Sequence, residues 1–479
     1  MKQMMYLLVL VMLSAVAEAD RPNILFIFAD DMAWDAMSCM GSEAQTPHLD
    51  ALADRGVLFT NSYNMGSWSG AICVASRSML NSGQSLWQIR PNAIAMKRYK
   101  RNQLPSPPSA DDIGTSWSQW LGEAGYHTYF TGKWHVDLYE AEDVFHTTGT
   151  VRPGMPNQTE AGYNRPQGPS DQTWLPWDEQ HGGFWAGGKH WSEITGDEAV
   201  DFLKNSAPRE EPFFAYVAFN APHDPRQAPK QYVDLYPADQ VAVPENFQPL
   251  YPYADQIGVG RNLRDARLAP FPRTPYSVQV NRAEYFAIIS HMDAQIGRIL
   301  DELEATGQAE NTLVIFSADH GLAVGHHGLI GKQNMYEHSL KAPLIIAGPG
   351  LPQGASRSER VYIQDIVPTS LDFAGIDVPK HVSFKSLSPL LFNRPYDGYD
   401  TIYGAYRNLQ RAVIHKDWKL IYYPEVPKYR LYHLAPDPQE INDLADDPMY
   451  GDQLSVMKSL LIQEFERQND RTMMAKPLK

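Results

Sequence analysis

The segment Cys73-Val74-Ala75-Ser76-Arg77 is the part of the sequence that says most about chemistry. It places a cysteine among small residues and ahead of an arginine, a pattern that suits a chemically active cysteine but is only moderately specific. A cysteine in such surroundings is also typical of a buried core residue or of one half of a disulfide. The sequence holds two cysteines, so Cys39 is the one available disulfide partner. Residues elsewhere in the chain must decide between these interpretations.

Charged and imidazole side chains follow four buried apolar runs of the sequence. In chain order they are Asp30 and Asp31, then Lys133 and His135, then His223, and finally Asp319 and His320. Sites in open parallel sheets lie at the carboxyl ends of the strands, so these side chains are expected to meet at one edge. Taken singly, an aspartate after a strand is a common helix cap, and a lone histidine is commonly a hydrogen-bonded structural residue. Their coincidence at four strand ends favours one shared site.

The three aspartates of this set indicate a metal centre. Asp30, Asp31 and Asp319 supply oxygen ligands, which suit a hard cation such as calcium. His320 adds an imidazole donor, and this leaves magnesium or manganese as alternatives. The sequence therefore predicts a divalent cation at the sheet edge.

The elements that must position these residues follow from hydrophobic patterning. Continuous apolar runs predict buried, parallel strands at 23–29, 127–131, 213–219, 312–316 and 343–347. Helical periodicity lies between them and is clearest over 282–306. This alternation predicts an α/β fold with a large mixed, mostly parallel sheet sandwiched by helices.

Segments outside these elements have a different character. The stretches 84–191 and 221–275 are rich in Pro, Gly and aromatic residues without a period, and we expect much of both to form ordered loops that frame a cleft. Beyond residue 386, strands at 411–415, 418–422 and 429–434 and a helix over 452–467 predict a smaller antiparallel-sheet-plus-helix subdomain.

Length, charge and the first residues bound the domain organisation and the compartment. Residues 1–19 have the basic start, apolar run and small-x-small end of a signal peptide, which predicts a periplasmic or secreted protein. A catalytic domain over 20–385 and the C-terminal subdomain over 386–479 are expected to follow. No later run is long enough to span a membrane. The net charge of −15 argues against nucleic acid as a partner.

Several blocks, taken together, resemble one enzyme family. The Cys73 segment is similar to the C-x-P/A-S-R signature of the type I, formylglycine-dependent sulfatases of the alkaline phosphatase superfamily. Further similar blocks, in the family's order, are Asp30-Asp31, Thr46-Pro47-His48-Leu49-Asp50, Gly132-Lys133-Trp134-His135, Ala318-Asp319-His320-Gly321 and His327-Gly328-Leu329-Ile330-Gly331-Lys332. The resemblance covers nearly the whole chain after residue 20.

The resemblance implies a role for each residue. A maturation enzyme would convert Cys73 to formylglycine, whose hydrated form attacks sulfur. Arg77 would hold this diol, with Lys133 and His135 beside it. His223 would protonate the leaving alcohol, and Lys332 would bind sulfate oxygens. The implied metal ligands are Asp30, Asp31, Cys73, Asp319 and His320.

The sequence thus predicts an exported sulfatase that hydrolyses sulfate esters. A sulfated carbohydrate, such as a carrageenan-like galactan or another polysaccharide, is the expected substrate, and nothing in the sequence selects the sugar. One alternative is a phosphodiesterase or phosphonate monoester hydrolase of the same superfamily. A second is a non-catalytic protein that binds sulfated glycans and has a Cys39–Cys73 disulfide.

Overall fold

The computed structural model of this chain describes residues 21–109 and 113–470. The predicted signal peptide, 1–19, lies outside these two stretches. None of the helices within them is both long enough and apolar enough to cross a lipid bilayer.

The strands of the described residues are numbered in chain order. They are β1 (Asn23–Ala29), β2 (Val57–Phe59), β3 (Ser62–Tyr63), β4 (Gly66–Ser67), β5 (His127–Lys133), β6 (Thr147–Arg152), β7 (Phe213–Ala218), β8 (Thr312–Ala318), β9 (Leu344–Ala347), β10 (Ala355–Arg357), β11 (Val361–Tyr362), β12 (Ile402–Tyr406), β13 (Gln410–His415), β14 (Trp418–Tyr423) and β15 (Lys428–His433).

The α-helices of the described residues are numbered in the same way. They are α1 (Pro47–Asp54), α2 (Ile72–Ser82), α3 (Leu86–Lys100), α4 (Trp117–Glu123), α5 (Ala141–Val144), α6 (Trp191–Ser206), α7 (Lys230–Val233), α8 (Pro275–Ala305), α9 (Glu337–Leu340), α10 (Ile366–Phe373), α11 (Ser388–Leu391) and α12 (Gly451–Arg467).

An eight-stranded sheet with the order β10-β2-β9-β8-β1-β7-β5-β6 forms the centre of the fold. Its five neighbouring strands β8, β1, β7, β5 and β6 run parallel, so their carboxyl ends lie on one side of the sheet. Both faces are buried: alternate residues of β1, such as Phe26 and Ile27, enter separate apolar cores on the two sides. This arrangement confirms the predicted α/β sandwich and explains why the strands have apolar runs without alternation.

The predicted parallel direction of the strand at 343–347 is wrong. Observed strand β9 runs antiparallel to both β8 and β2. Between β8 and β9 the chain forms loops and the short helix α9, and it returns along the same edge of the sheet. A parallel neighbour would need a crossover connection over one face of the sheet. The apolar run identifies a buried strand but carries no information on its direction.

A second sheet, with the order β15-β14-β13-β12-β4, forms the C-terminal part. Strands β12 to β15 are antiparallel neighbours, and Met457, Leu461 and Phe465 of α12 pack on their apolar face. The predicted sheet with one packed helix is therefore present. Its outer strand β4 comes from residues 66–67 of the N-terminal part and pairs in parallel with β12. The boundary after residue 385 remains a prediction.

Much of the segment 84–191 is more regular than predicted. Besides the predicted strand β5, it contains the helices α3 to α5 and the strand β6. The second stretch, 221–275, is largely irregular as expected, with only α7 and two 3-10 turns.

Candidate active site

The predicted site residues converge at the carboxyl edge of the large sheet. Strands β1, β5 and β8 end at or just before Asp30, Lys133 and Asp319, and the loop after β7 carries His223. Helix α2 points its first turn at this edge and places Cys73 there. Every predicted site residue lies within this one cluster, although the role of each residue remains a prediction.

The predicted metal ligands can supply donor atoms to one point. Asp30, Asp31, Cys73, Asp319 and His320 each offer a ligand atom, and these atoms all lie within 4.8 Å of one another. Oδ1 of Asp30 is buried and lacks a hydrogen-bond partner among the described residues. An orphaned buried carboxylate oxygen is costly unless a cation or donor satisfies it. The donor set and its geometry therefore fit a hard divalent cation.

The tautomer of His320 also suits a ligand. Nδ1 lies 2.8 Å from the carbonyl oxygen of Gly321 and can donate to it, so the neutral ring would direct its Nε2 lone pair into the cluster. Nε2 lies 3.3 Å from Asp31 Oδ1 and 3.4 Å from Asp319 Oδ1. Burial lowers the pKa of His320, but the charges of Asp319, Cys73 and Asp31 outweigh burial and raise the pKa to about 9. The same negative field would attract a divalent cation.

Cys73 lies among cations in the first turn of α2 and is 1% exposed. Its Sγ is 3.3 Å from both Lys332 Nζ and His320 Nε2, and 3.6 Å from Asp31 Oδ1. Burial raises the pKa of this thiol, but Lys133, Lys332 and His320 outweigh burial and hold it well below the ordinary value. These cations would equally stabilise negative charge on a modified side chain at this position.

The cysteines are not paired. Cys73 is buried, Cys39 is exposed, and both thiols are free. The Cys39–Cys73 disulfide of the binding-protein alternative is therefore wrong.

Arg77 lies one helical turn beyond Cys73 and is fully buried. Its Nε donates to Asp319 Oδ2 at 3.2 Å, and Nη1 donates to the carbonyl oxygen of Lys133 at 2.7 Å. Nη2 has no hydrogen-bond partner among the described residues and lies 3.7 Å from Asp30 Oδ1. Arg77 thus joins the ends of β5 and β8 to α2, and one of its donors is left for a ligand.

Two lysines pair with the aspartates of the cluster. Lys133 forms a buried ion pair with Asp30, and Lys332 Nζ lies 2.7 Å from both carboxylate oxygens of Asp31. Asp31 has φ of +72°, left-handed backbone that Asp tolerates better than most residues. Tyr285 of α8 supports this turn because its hydroxyl donates to the Asp31 carbonyl and accepts from Ala33 N. Sequence patterning assigned Tyr285 only to a helix face.

His135 packs beside Cys73 with φ of +51°. Burial lowers the pKa of His135, so the neutral imidazole is favoured near neutral pH. Gly154 lies against its ring, because a Cβ there would be 2.6 Å from His135 Cε1. A side chain at Gly154 would therefore displace the imidazole.

His223 lies next to Asp31 of the cluster and is 4% exposed. Its Nδ1 lies 2.8 Å from the backbone oxygen and 3.1 Å from Oδ1 of Asp224, and its Nε2 lies 3.7 Å from Asp31 Oδ2. Arg264 in turn binds Asp224 through two contacts. Burial lowers the pKa of His223, but Asp31 and Asp224 outweigh burial and raise it to about 10. An imidazole held in this way can present a proton from Nε2.

Sequence reasoning did not identify Asp224 and Arg264. Asp224 is the residue next to His223, so its position was the available signal. Arg264 lies 40 residues further along the chain, and its contact with Asp224 depends on how the irregular stretch 221–275 folds back.

Comparison with known proteins agrees with this geometry. The profile of the Sulfatase family matches residues 22–376, and the profile described as N-sulphoglucosamine sulphohydrolase, C-terminal, matches residues 325–468. The chain is 26% identical to an arylsulfatase of Clostridium perfringens, over 93% of this chain and 95% of the relative. It is 25% identical to an N-acetylglucosamine-6-O-sulfatase of Bacteroides thetaiotaomicron, over 93% and 86%.

Solved structures share the fold. A phosphonate monoester hydrolase from Silicibacter pomeroyi superposes with a TM-score of 0.74 at 21% identity, and the match covers 94% of this chain and 96% of that one. Such identity establishes the fold alone, whereas the family profile covers most of the chain and includes every strand end that carries a site residue. The chain therefore belongs to the sulfatase family and is a sulfuric ester hydrolase.

Proposed function

We propose that the chain hydrolyses sulfate esters of sulfated carbohydrates through a formylglycine made from Cys73, with a divalent metal bound at the Asp30, Asp31, Cys73, Asp319 and His320 cluster. One observation carries the proposal: a buried cysteine at a helix start lies within 3.6 Å of a lysine, an imidazole and a carboxylate of this cluster. A cation bound by the cluster would supply Lewis-acid stabilisation of charge on sulfate oxygens. Calcium is the ion that we propose, because most of the donors are carboxylate oxygens.

The matured side chain of residue 73 would supply the attacking hydroxyl, and its oxygens would replace Sγ in the contacts described above. Lys332, whose ammonium lies 3.3 Å from Sγ, would hold sulfate oxygens near this position. His135 lies beside the same side chain and, as a neutral base, can accept a proton when the aldehyde re-forms. Arg77 and Lys133 hold Asp319 and Asp30 in place and add positive charge.

His223 would protonate the departing alcohol oxygen. Its raised pKa keeps the imidazole protonated at neutral pH, and Nε2 faces the cluster while Nδ1 is bound to Asp224. Sugar alcohols are poor leaving groups, so this proton transfer matters most for carbohydrate esters.

The substrate class is inferred from relatives and from the sequence. The relative from Bacteroides thetaiotaomicron is an N-acetylglucosamine-6-O-sulfatase, which makes a sulfated sugar a reasonable substrate. The signal-like residues 1–19 favour export to the periplasm or beyond, where sulfated polysaccharides such as carrageenans are met. Maturation would also require a formylglycine-generating enzyme as a partner.

The test is sulfate release by protein co-produced with a formylglycine-generating enzyme, assayed on carrageenan, ulvan and glycosaminoglycan oligosaccharides. A phosphodiester and a phosphonate monoester are assayed in parallel, because the phosphonate monoester hydrolases share this fold. The proposal expects sulfate release from at least one sugar and weaker turnover of the phosphorus esters. Faster turnover of the phosphorus esters would favour the alternative.

Cys73→Ser tests the maturation step, with Cys39→Ser as the matched control at the other cysteine. Peptide mass spectrometry should find an aldehyde at residue 73 in wild type and in Cys39→Ser. Cys73→Ser should lack the aldehyde and lose activity in a host whose maturation enzyme does not accept serine. Full activity of Cys73→Ser in such a host would contradict the mechanism.

A further inference from the structure

The tip of the β12–β13 hairpin contacts the segment that leads into α2 and Cys73. Tyr406 pairs with Ser67, and the backbone N–H of Arg407 donates to the Ser67 carbonyl at 2.7 Å. The hairpin is thereby fixed to the segment that leads into α2. This contact brings a residue of the C-terminal sheet next to the segment that carries Cys73.

The guanidinium of Arg407 lies over Gly70. A Cβ on Gly70 would be only 2.8 Å from Arg407 Nη2. Gly70 precedes Cys73 by three residues, which span at most about 11 Å of extended chain. The Arg407 guanidinium therefore lies against the same short segment of chain that carries the reacting side chain.

The chain around Gly70 and Arg407, here called the rim, is connected through hydrogen bonds to residues next to Lys332 and His223. Gln333 follows Lys332 in sequence, and its Nε2 donates to the Gly70 carbonyl at 3.0 Å and to Asp265 Oδ2 at 2.7 Å. Asp265 pairs with Arg264, which also holds the Asp224 carboxylate beside His223. A leaving group placed between Cys73 and His223 would thus have this rim next to it.

Arg407 differs from the other cations around the site. Lys133, Lys332, Arg77 and Arg264 are each ion-paired with an aspartate. Arg407 is exposed, and among residues 21–109 and 113–470 no carboxylate lies within ion-pair distance of it. In a chain of net charge −15, an exposed arginine that has no carboxylate partner among the described residues is suited to attach a further anion.

Two local features point the same way. The Tyr406 hydroxyl is buried, lacks a hydrogen-bond partner among the described residues, and would lie 3.9 Å from a Cβ on Gly70. Arg407 has φ of +47°, a left-handed conformation that Gly or Asn adopts more readily. An arginine at this turn therefore carries a conformational cost.

We propose that Arg407 binds a second anionic group, a carboxylate or a sulfate, of the substrate that carries the scissile sulfate ester. The substrate class is then a sugar or oligosaccharide with at least two negative charges. The inference rests on the proposed function, and Tyr406 supplies a neighbouring hydrogen-bond donor. Arg407 is a specificity-determining residue in this proposal and takes no part in the chemistry at sulfur.

The test compares pairs of sulfated sugars that differ only in a second sulfate or in a carboxylate, with 4-nitrophenyl sulfate as a substrate that lacks a second anion. Wild type should favour the doubly charged sugar either in the pair that differs by a sulfate or in the pair that differs by a carboxylate. The pair that shows the preference identifies the anion that Arg407 binds. Arg407→Ala should lower kcat/KM for that member roughly 10- to 100-fold, mostly through KM, and leave 4-nitrophenyl sulfate nearly unchanged. Arg407→Lys should retain part of the preference.

Arg101→Ala, at an exposed arginine at the end of α3, is the matched control and should change neither substrate. The proposal is overturned if wild type shows no preference in any pair, if the preference survives Arg407→Ala, or if Arg407→Ala slows both substrate types equally. Failure of the proposed function would give a different result from failure of the Arg407 proposal alone. Wild type that carries the aldehyde at residue 73 would then hydrolyse no sulfate ester, including 4-nitrophenyl sulfate, and both proposals would be contradicted.

Discussion

Asp224 binds His223 through the nitrogen that faces away from the active site. Nδ1 of His223 lies 3.1 Å from Asp224 Oδ1, and Nε2 lies 3.7 Å from Asp31 Oδ2. Arg264 holds the Asp224 carboxylate in turn, so the imidazole has one orientation and one free donor. This relationship supports the proposed role of His223 in protonating a leaving oxygen.

His223→Ala should therefore slow the release of poor leaving groups far more than that of good ones. For a sugar sulfate we expect kcat to fall by about 10²- to 10⁴-fold, the usual contribution of a general acid. For 4-nitrophenyl sulfate, whose leaving group needs no proton, the loss should be much smaller. Steady-state kinetics on both substrates measures the difference, and equal losses would remove His223 from this role.

Asp224→Asn is the matched variant for the same prediction. It keeps the shape of the side chain but removes a charge that raises the pKa of His223. The imidazole should then lose its proton at a lower pH than in wild type. The alkaline limb of the pH–rate profile for a sugar sulfate should therefore move toward neutral pH. An unchanged limb would indicate that Asp224 has a purely structural role.

The sequence predicts the part of this site that lies at the strand ends. Asp30, Lys133, His223 and Asp319 each follow an apolar run, and a parallel sheet brings such ends together whatever the loops do. Arg264 could not be found in this way, because its contact with Asp224 depends on the path of an irregular segment. The pairing of β4 with β12 is equally hidden, since two residues carry no periodicity.

Helix α3 shows a different kind of failure. Its buried residues Leu86, Ile89, Ala93 and Met96 have helical spacing. Pro91 lies inside the helix, however, and a proline with surrounding Gly and Pro residues favours a loop assignment. The helical spacing of these residues is the available signal, and the aperiodic Pro- and Gly-rich composition of 84–191 conceals it. The tertiary contacts between α2 and α3 hold the helix despite the proline.

Metal content is predicted from the donor cluster. We expect one divalent ion per chain, with calcium bound in preference to magnesium or manganese, and a chelator should remove both the ion and the activity. An ion present at 100 times its Kd stabilises the folded chain by about 2.7 kcal/mol, so chelation should lower Tm and added calcium should restore it.

His320→Ala removes one of the proposed metal ligands and should lower the bound metal measured by elemental analysis. His291→Ala is a suitable control, because His291 is another buried histidine that lies outside the cluster. Equal metal content in wild type and His320→Ala, or a Tm that does not respond to chelation, would contradict the assignment.

A buried ion network joins the C-terminal sheet to the segment after Lys332. Lys419 Nζ of β14 lies 2.7 Å from both Glu337 Oε1 and Glu440 Oε1. Lys419→Met would leave the buried Glu440 carboxylate without its cation and Glu337 with Lys341 Nζ alone, 3.6 Å from its Oε2. Removal of one partner from a buried pair costs about 3–5 kcal/mol. Urea unfolding should show a loss of this size, and activity should fall because Glu337 follows Lys332 by only five residues.

Lys416→Met, at an exposed lysine just before β14, should change the free energy of unfolding by less than about 0.5 kcal/mol. Adding Glu337→Gln and Glu440→Gln to Lys419→Met should recover part of the loss, since the uncompensated charges are then removed. A loss below about 1 kcal/mol for Lys419→Met alone would show that the network contributes little.

Asp365 should make the stability of the protein depend on pH. Burial raises its pKa from 3.8 to about 7, although the Tyr399 hydroxyl and the backbone N–H groups of Lys385 and Tyr362 donate to it. The folded chain therefore holds this proton more tightly than the unfolded chain does. Stability is highest below pH 4 with respect to this group alone and is lost as pH rises toward 7, by up to roughly 4 kcal/mol.

Asp365→Asn cannot ionise, so its free energy of unfolding should fall less steeply than that of wild type between pH 5 and pH 8. Urea unfolding at several pH values in this range measures both slopes. Asp377→Asn, at an exposed aspartate shortly after α10, should keep the wild-type slope. Parallel curves for wild type and Asp365→Asn would mean that the Asp365 carboxylate stays ionised in the folded chain, with the Lys385 ammonium and the three donors outweighing its burial.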